Sequence, residues 1–509
     1  MRKTLSALLV VVALAVVLLA PVANGQSRGG QLKILIIVDS ETGMDPHKRL
    51  MASTEIMLEM IHETLVEFDS ATGDFKPALA ESWQIAQDGR TYTFKIRRGV
   101  RFHNGRELNA GDVKYSFERI LNPATASPRR LAFSPIDRVD APDNNTVVFA
   151  LKAPFAPFLA NMAHIGTAIV PREAVESQGG DLSRNSVGAG PFVFKEWSRD
   201  NFLRVERNPN YWRRGLPYLD SIEFRFNSDP NARFAAFRSG QVNFLYKIDK
   251  PFVRALQNND AYTVVGGQSS TYAYLYFNIA RPPFTDNRVR QAISWAMDRD
   301  AIRANALLKF GVSLPSGFLP PDHWGALREP VFNKQDMEKA RQLINEAGFR
   351  GGRYNITVVT ITPPNIRAAE TLQQQLRPLG FDIEVRVLEP APMLRAAFSA
   401  DFDMLILHGN FGIDPDDHLS QTFLTGGGAN WVKYADADLD GLVARARTTT
   451  ARPERARLYR DIMRRLATQG PRAYMYLEAD FHAFPNSLRG FRFDPAPSFR
   501  SLREAYFSQ

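Results

Sequence analysis

Between Trp83 and Pro123 the spacing of apolar and polar positions changes period, and the change outlines a small folding unit. Trp83 and Ile85 share one face of a short extended run. Asp88-Gly89 then supplies a hairpin turn, because glycine takes positive φ at little cost. Residues 91–97 alternate strictly, with Tyr92, Phe94 and Ile96 on one side and Thr93, Lys95 and Arg97 on the other, which predicts a half-buried strand. Asn104-Gly105 makes a second turn. Asn109 stands as a helix N-cap with Asp112 in the capping-box position; Val113, Phe117, Ile120 and Leu121 follow at helical spacing, and Asn122-Pro123 ends the helix.

The same reading runs along the chain. Strands are predicted at 32–38, 146–151, 192–197, 203–207 and 222–227, a helix at 57–66 on Met57, Ile61 and Leu65, a loop breaking into a short helix at 153–158, and a helix over 232–240 closed by its glycine. A second block starts near Tyr272. Tyr274, Tyr276 and Asn278 share one strand face, and Leu275 and Phe277 the other. Asp286 or Asn287 caps a helix reaching Met297, and a further helix at 336–347 ends at Gly348. The order strand 356–361, helix 366–376, strand 381–387, with another apolar strand at 402–407, argues for a βαβ layer with a parallel sheet. The last predicted strand is 473–477. The fold class is α/β, in two lobes.

At 509 residues the chain is too long for one core. Its first residues read as a targeting segment: Arg2 and Lys3, an apolar run over 5–20, then small residues at Ala23-Asn24-Gly25, which predicts cleavage after Gly25. The apolar run falls short of the roughly 20 residues a membrane span needs. No cysteine is present. That excludes disulfides, thiol chemistry and a cysteine-borne lipid anchor, so a freely soluble periplasmic protein is expected. The net charge of +9 is scattered. Its densest patch, 452–465, reads as a solvated helix face, so no nucleic-acid partner is expected.

Three motifs in order carry a resemblance: ALAESW at 78–83, DGRTYTFKIRRGVRFHNG at 88–105 and LNAGDVKYSFER at 108–119. With GAGPF at 188–192, NPNYW at 208–212 and the run 276–302, they are similar to family 5 extracellular solute-binding proteins, the peptide- and nickel-type receptors of ATP-binding-cassette importers. The resemblance implies a two-lobed clamshell of the class II periplasmic type with an extra subdomain in the first lobe. It places 26–58, 188–272 and 486–509 in lobe I, 59–187 in the extra subdomain and 273–485 in lobe II. It implies a monomer that captures an oligopeptide or peptide-like solute and delivers it to an inner-membrane permease. Opine, sugar, haem or nickel-complex cargo is the alternative. A secreted hydrolase is the remaining rival, but no GxSxG, P-loop or GxGxxG stands in a suitable context. Neither an enzyme nor a cofactor is expected.

The segment 407–423 is the most polar cluster beside a buried strand, where open α/β sheets bind ligands. Gly409, Asn410, Phe411 and Asp414 are therefore candidate ligand contacts. Tyr274 and Trp431 join them as amphipathic aromatics, and Glu41 as part of the first cleft loop the resemblance implies. The histidines and aspartates of this segment match no metal-binding spacing. In peptide-binding relatives an aspartate of this loop pairs with the ligand ammonium. Here Asn410 or Phe411 falls at that position, so the expectation is a cargo that does not depend on a free ammonium, unless Asp414 swings in to replace the missing carboxylate.

Overall fold

The computed structural model describes residues 27–37, 43–48, 52–359, 362–496 and 498–508. The predicted signal segment and the candidate Glu41 lie outside them. One eleven-stranded mixed sheet runs through both lobes. Its centre is a pair of long antiparallel strands, Tyr262–Phe277 and Arg472–Pro485, registered from Tyr262 opposite Pro485 to Tyr276 opposite Arg472. At one end this pair continues through Phe244–Leu245 into Gln31–Ile36, Ser221–Phe226, Phe202–Arg207 and Phe192–Ser198. At the other it continues through Met404–Asn410 into Gly352–Val359 and Phe381–Leu388. The predicted βαβ unit is present: Gly352–Val359 and Phe381–Leu388 are parallel and joined by helix Pro363–Leu376.

The last strand is nearly three times as long as 473–477. Glu478, Asp480 and His482 break its apolar pattern in sequence. In the fold Lys247 reaches Asp480 at 2.9 Å and His408 reaches Glu478 at 3.0 Å, so these buried polar groups are paired within the sheet. The helix expected over 57–66 is shifted, to Ala52–Ile61. Its end is set by GAGPF. Gly190 N donates to Ile61 O at 2.9 Å, and a Cβ on Gly190 would sit 2.5 Å from the Ile61 carbonyl carbon. Only a glycine lets that strand of chain approach so closely. His62 and His103 pack into the same corner, on Ser186 Oγ and Gly190 O.

The unit at 80–121 forms as read. Ala80–Ile85 and Thr91–Ile96 make a hairpin within a four-stranded antiparallel sheet completed by Thr146–Leu151 and Ile136–Asp143. Tyr92, Phe94 and Ile96 are buried. Helix Ala110–Leu121 covers them, with Gly111 N donating to Asn109 Oδ1 and Asn109 N to Asp112 Oδ2. Edge-to-face contacts of Phe117 and Phe149 seal the layer. Along strand Tyr262–Phe277, Tyr272, Tyr274 and Tyr276 belong to one core, and Ala273, Leu275 and Phe277 to the other, as the alternation requires.

Candidate ligand site between the lobes

Strand Met404–Asn410 delivers a short loop to the cleft, and helix Pro415–Thr422 leaves it. The loop is fixed from within. Gly412, at φ 65°, donates its N–H to Asn410 Oδ1 at 2.8 Å. Asp414 caps the helix by accepting from Asp416 N at 3.0 Å. It is also held bidentately by Arg455, at 2.5 and 2.8 Å, and accepts from Tyr459 Oη at 3.1 Å.

The lobes meet around this loop. Arg129 donates to Asp417 Oδ2 at 2.8 Å and to Asn161 Oδ1 at 3.2 Å. Ala156 N donates to Arg447 O at 2.7 Å, and Phe411 N to Ser270 O at 3.4 Å. Two adjoining cavities lie between them, of about 380 and 560 Å³, sharing Phe68, Ala160, Gly412, Ile413, Asp414 and Ala496 as walls. Both volumes fall in the range of ligand pockets, roughly 300–1,000 Å³.

Their characters differ. The larger cavity is aromatic, with Phe75, Tyr92, Trp324 and Phe411 among its walls, and Arg452 lies 5.8 Å from the Trp324 ring centre. The smaller one is ionic: Glu55, Glu59, Asp414, Asp417 and Asp494 face it, against Arg129 and Arg500. Burial pushes the Glu55 carboxyl up to about 7, Arg129 opposing and Glu59 and Asp417 adding repulsion. Burial likewise raises Glu59 and Asp494. It lowers His164 to about 3, reinforced by Arg129, so that imidazole is neutral.

Of the residues expected from sequence, Asn410 and Asp414 line the smaller cavity and Phe411 and Asp414 the larger. Gly409 lies against the Tyr272 ring, where a Cβ would come within 2.6 Å, and supplies close packing instead of a wall. Tyr274 and Trp431 are not among the cavity walls. Tyr274 is buried under the Arg472 guanidinium, 4.0 Å from its ring centre, and Trp431 packs on Tyr276 and Phe398. Both therefore belong with one hydrophobic core, Tyr274 because its strand face points inward and Trp431 because it packs against that core from a turn. Sequence reasoning missed Glu55, Glu59, Arg129, His164, Asp494 and Arg500. One signal was available: Glu55 and Glu59 stand four apart in the mostly apolar stretch EIMLEMI of helix Ala52–Ile61, which puts two acids on one face of a buried helix. Among the described residues no group of three His, Asp or Glu side chains is placed to hold a metal ion.

Residues 74–431 match the model of the bacterial extracellular solute-binding proteins, family 5. The chain belongs to this family. It is a solute-binding protein of an ATP-binding-cassette importer, with the two-lobed periplasmic-binding-protein fold. It is 29% identical over 478 residues to the glutathione-binding protein of Pectobacterium atrosepticum, covering 90% of this chain and 91% of that one. The glutathione-binding protein of Escherichia coli K12 is 27% identical over 483 residues, covering 92% and 93%. Among solved structures, the transporter-associated periplasmic binding protein DppA of Helicobacter pylori, in complex with the peptide STSA, superposes with a TM-score of 0.84 at 25% identity, covering 95% of this chain and 99% of that one. Each of these relatives is named as a binding protein.

Proposed function

We propose that this chain captures a short peptide or peptide-like solute in the periplasm, and that it works as an exported monomer released by cleavage near Gly25. The observation that carries the cargo class is the pairing of the two cavities. An ionic chamber opens beside an aromatic one between the lobes, which suits a molecule with charged termini and a side chain or two of apolar surface. Arg452, at the aromatic end, has no carboxylate partner among the described residues and can take a cargo carboxylate. The relatives named for glutathione and the neighbour holding STSA support the same size and chemistry. No covalent step is required: the ligand binds the closed arrangement better than the open one and shifts the population towards it. Closure then presents both lobes to the permease together.

Native mass spectrometry of the protein purified from its own periplasm tests the cargo class. A co-purified mass resolving on fragmentation to amino acids is expected. A co-purified sugar, haem or nickel complex would overturn it.

A further inference from the structure

Each carboxylate facing the smaller cavity has a partner, with one exception. Asp414 is held by Arg455, and Asp417 by Arg129 at 2.8 Å. Glu59 accepts from Phe499 N at 2.7 Å and from Ser498 Oγ at 3.0 Å, with Arg500 at 3.4 Å. Asp494 accepts from Ala496 N at 3.0 Å. Glu55 has only His164, whose Nε2 lies 3.5 Å from Glu55 Oε1. His164 Nδ1 accepts from Gly166 N at 3.0 Å, so the ring hydrogen sits on Nε2 and the imidazole brings a dipole and no charge. No Lys or Arg among the described residues pairs with Glu55. Its side chain keeps 21% exposure, so it remains reachable from the cavity.

Arg129, on the wall of the same cavity, has one unmet donor. Its side chain is 5% exposed and lines the same cavity, yet its Nε has no hydrogen-bond partner. A buried donor of this kind is costly unless something completes it. The N-terminal residue of a peptide offers both missing groups on adjacent atoms, an ammonium and a carbonyl oxygen.

We infer that Glu55 selects the cargo's cationic group: an ammonium docks on the Glu55 carboxylate, with the neighbouring carbonyl turned to Arg129 and the remainder directed into the aromatic cavity. Recognition of the amine thus comes from the first lobe, whereas the carboxylate of the second-lobe loop, Asp414, is committed to Arg455. This reverses the expectation of an amine-independent cargo, and it rests on the peptide-like reading above. The groups facing Glu55 are Arg129, His164, Glu59, Asp417, Asp494 and Arg500. With its carboxyl held near 7, Glu55 is about half protonated at neutral pH, and a bound ammonium drives it to the ionised form, so binding releases roughly half a proton.

Calorimetry with reduced glutathione and a panel of tri- and tetrapeptides, each free and N-acetylated, tests this in the wild type and Glu55→Gln. The wild type should prefer the free form. The substitution should weaken free peptides roughly ten- to hundredfold and leave acetylated ones unchanged, so the ratio of the two is immune to a general folding defect. The dependence of the binding heat on buffer ionisation should vanish with the carboxylate. Equal free-peptide affinity in wild type and Glu55→Gln overturns the assignment and leaves the peptide reading standing. Binding of acetylated forms alone overturns it too. Binding of no panel member removes the peptide reading and the assignment together.

Discussion

Arg129 and Asp417 meet at 2.8 Å on the wall of the smaller cavity, with the arginine side chain 5% and the aspartate 24% exposed. On the lobe boundaries that the family resemblance implies, the pair spans the lobes and is formed only when they are together, so it favours closure. Breaking a buried pair by removing one partner costs about 3–5 kcal/mol. Arg129→Met is expected to open the molecule: small-angle scattering of the unliganded variant should give a larger radius of gyration than the wild type. The same radius in both would show that closure does not depend on this contact.

Asp414 is expected to be structural. It caps a helix and satisfies Arg455 and Tyr459, all buried. Asp414→Ala leaves the Arg455 guanidinium buried without its carboxylate, at a cost of about 3–5 kcal/mol. Urea denaturation should show a lower midpoint with little change in slope. Asp414→Asn should preserve discrimination between free and acetylated peptides; losing it would move amine recognition to this residue.

The pH dependence of stability has a definite sign at Glu55. Its carboxyl is raised from 4.5 to about 7 in the folded protein, so folding favours the protonated form. Stability is therefore lost as pH rises from about 4.5 to about 7, by roughly 3 kcal/mol at full effect, and the cost persists above that. Glu55→Gln removes the charge. Without ligand it should be no more stable than the wild type near pH 4.5 and more stable near pH 8. A gap that does not change with pH would contradict the raised carboxyl.

What the sequence discloses about this molecule follows how local each feature is. The capping box at Asn109, the alternation of Tyr92, Phe94 and Ile96, and the βαβ order all depend on neighbours within a few residues, and all appear in the fold. Strand Arg472–Pro485 extends past the predicted 473–477 because the lysines that neutralise Glu478 and Asp480 come from 247 and 250. The site suffered most from the same cause. The loop 410–414 was legible as a polar break after an apolar strand. Its opposing wall is assembled from Glu55, Arg129, His164 and Asp494, which only tertiary folding brings together. Tyr274 and Trp431 carry the amphipathic chemistry of ligand contacts, but the pleat turns Tyr274 into the core and Trp431 packs against the same core from a turn.

A crystal structure of the protein with the tightest-binding free peptide of the panel tests the central claim most directly. The account predicts the peptide enclosed between the lobes, its ammonium within about 3 Å of a Glu55 carboxylate oxygen and its chain running past Phe411 towards Trp324. A peptide bound outside these cavities, or with its ammonium on a carboxylate of the second lobe, would contradict it.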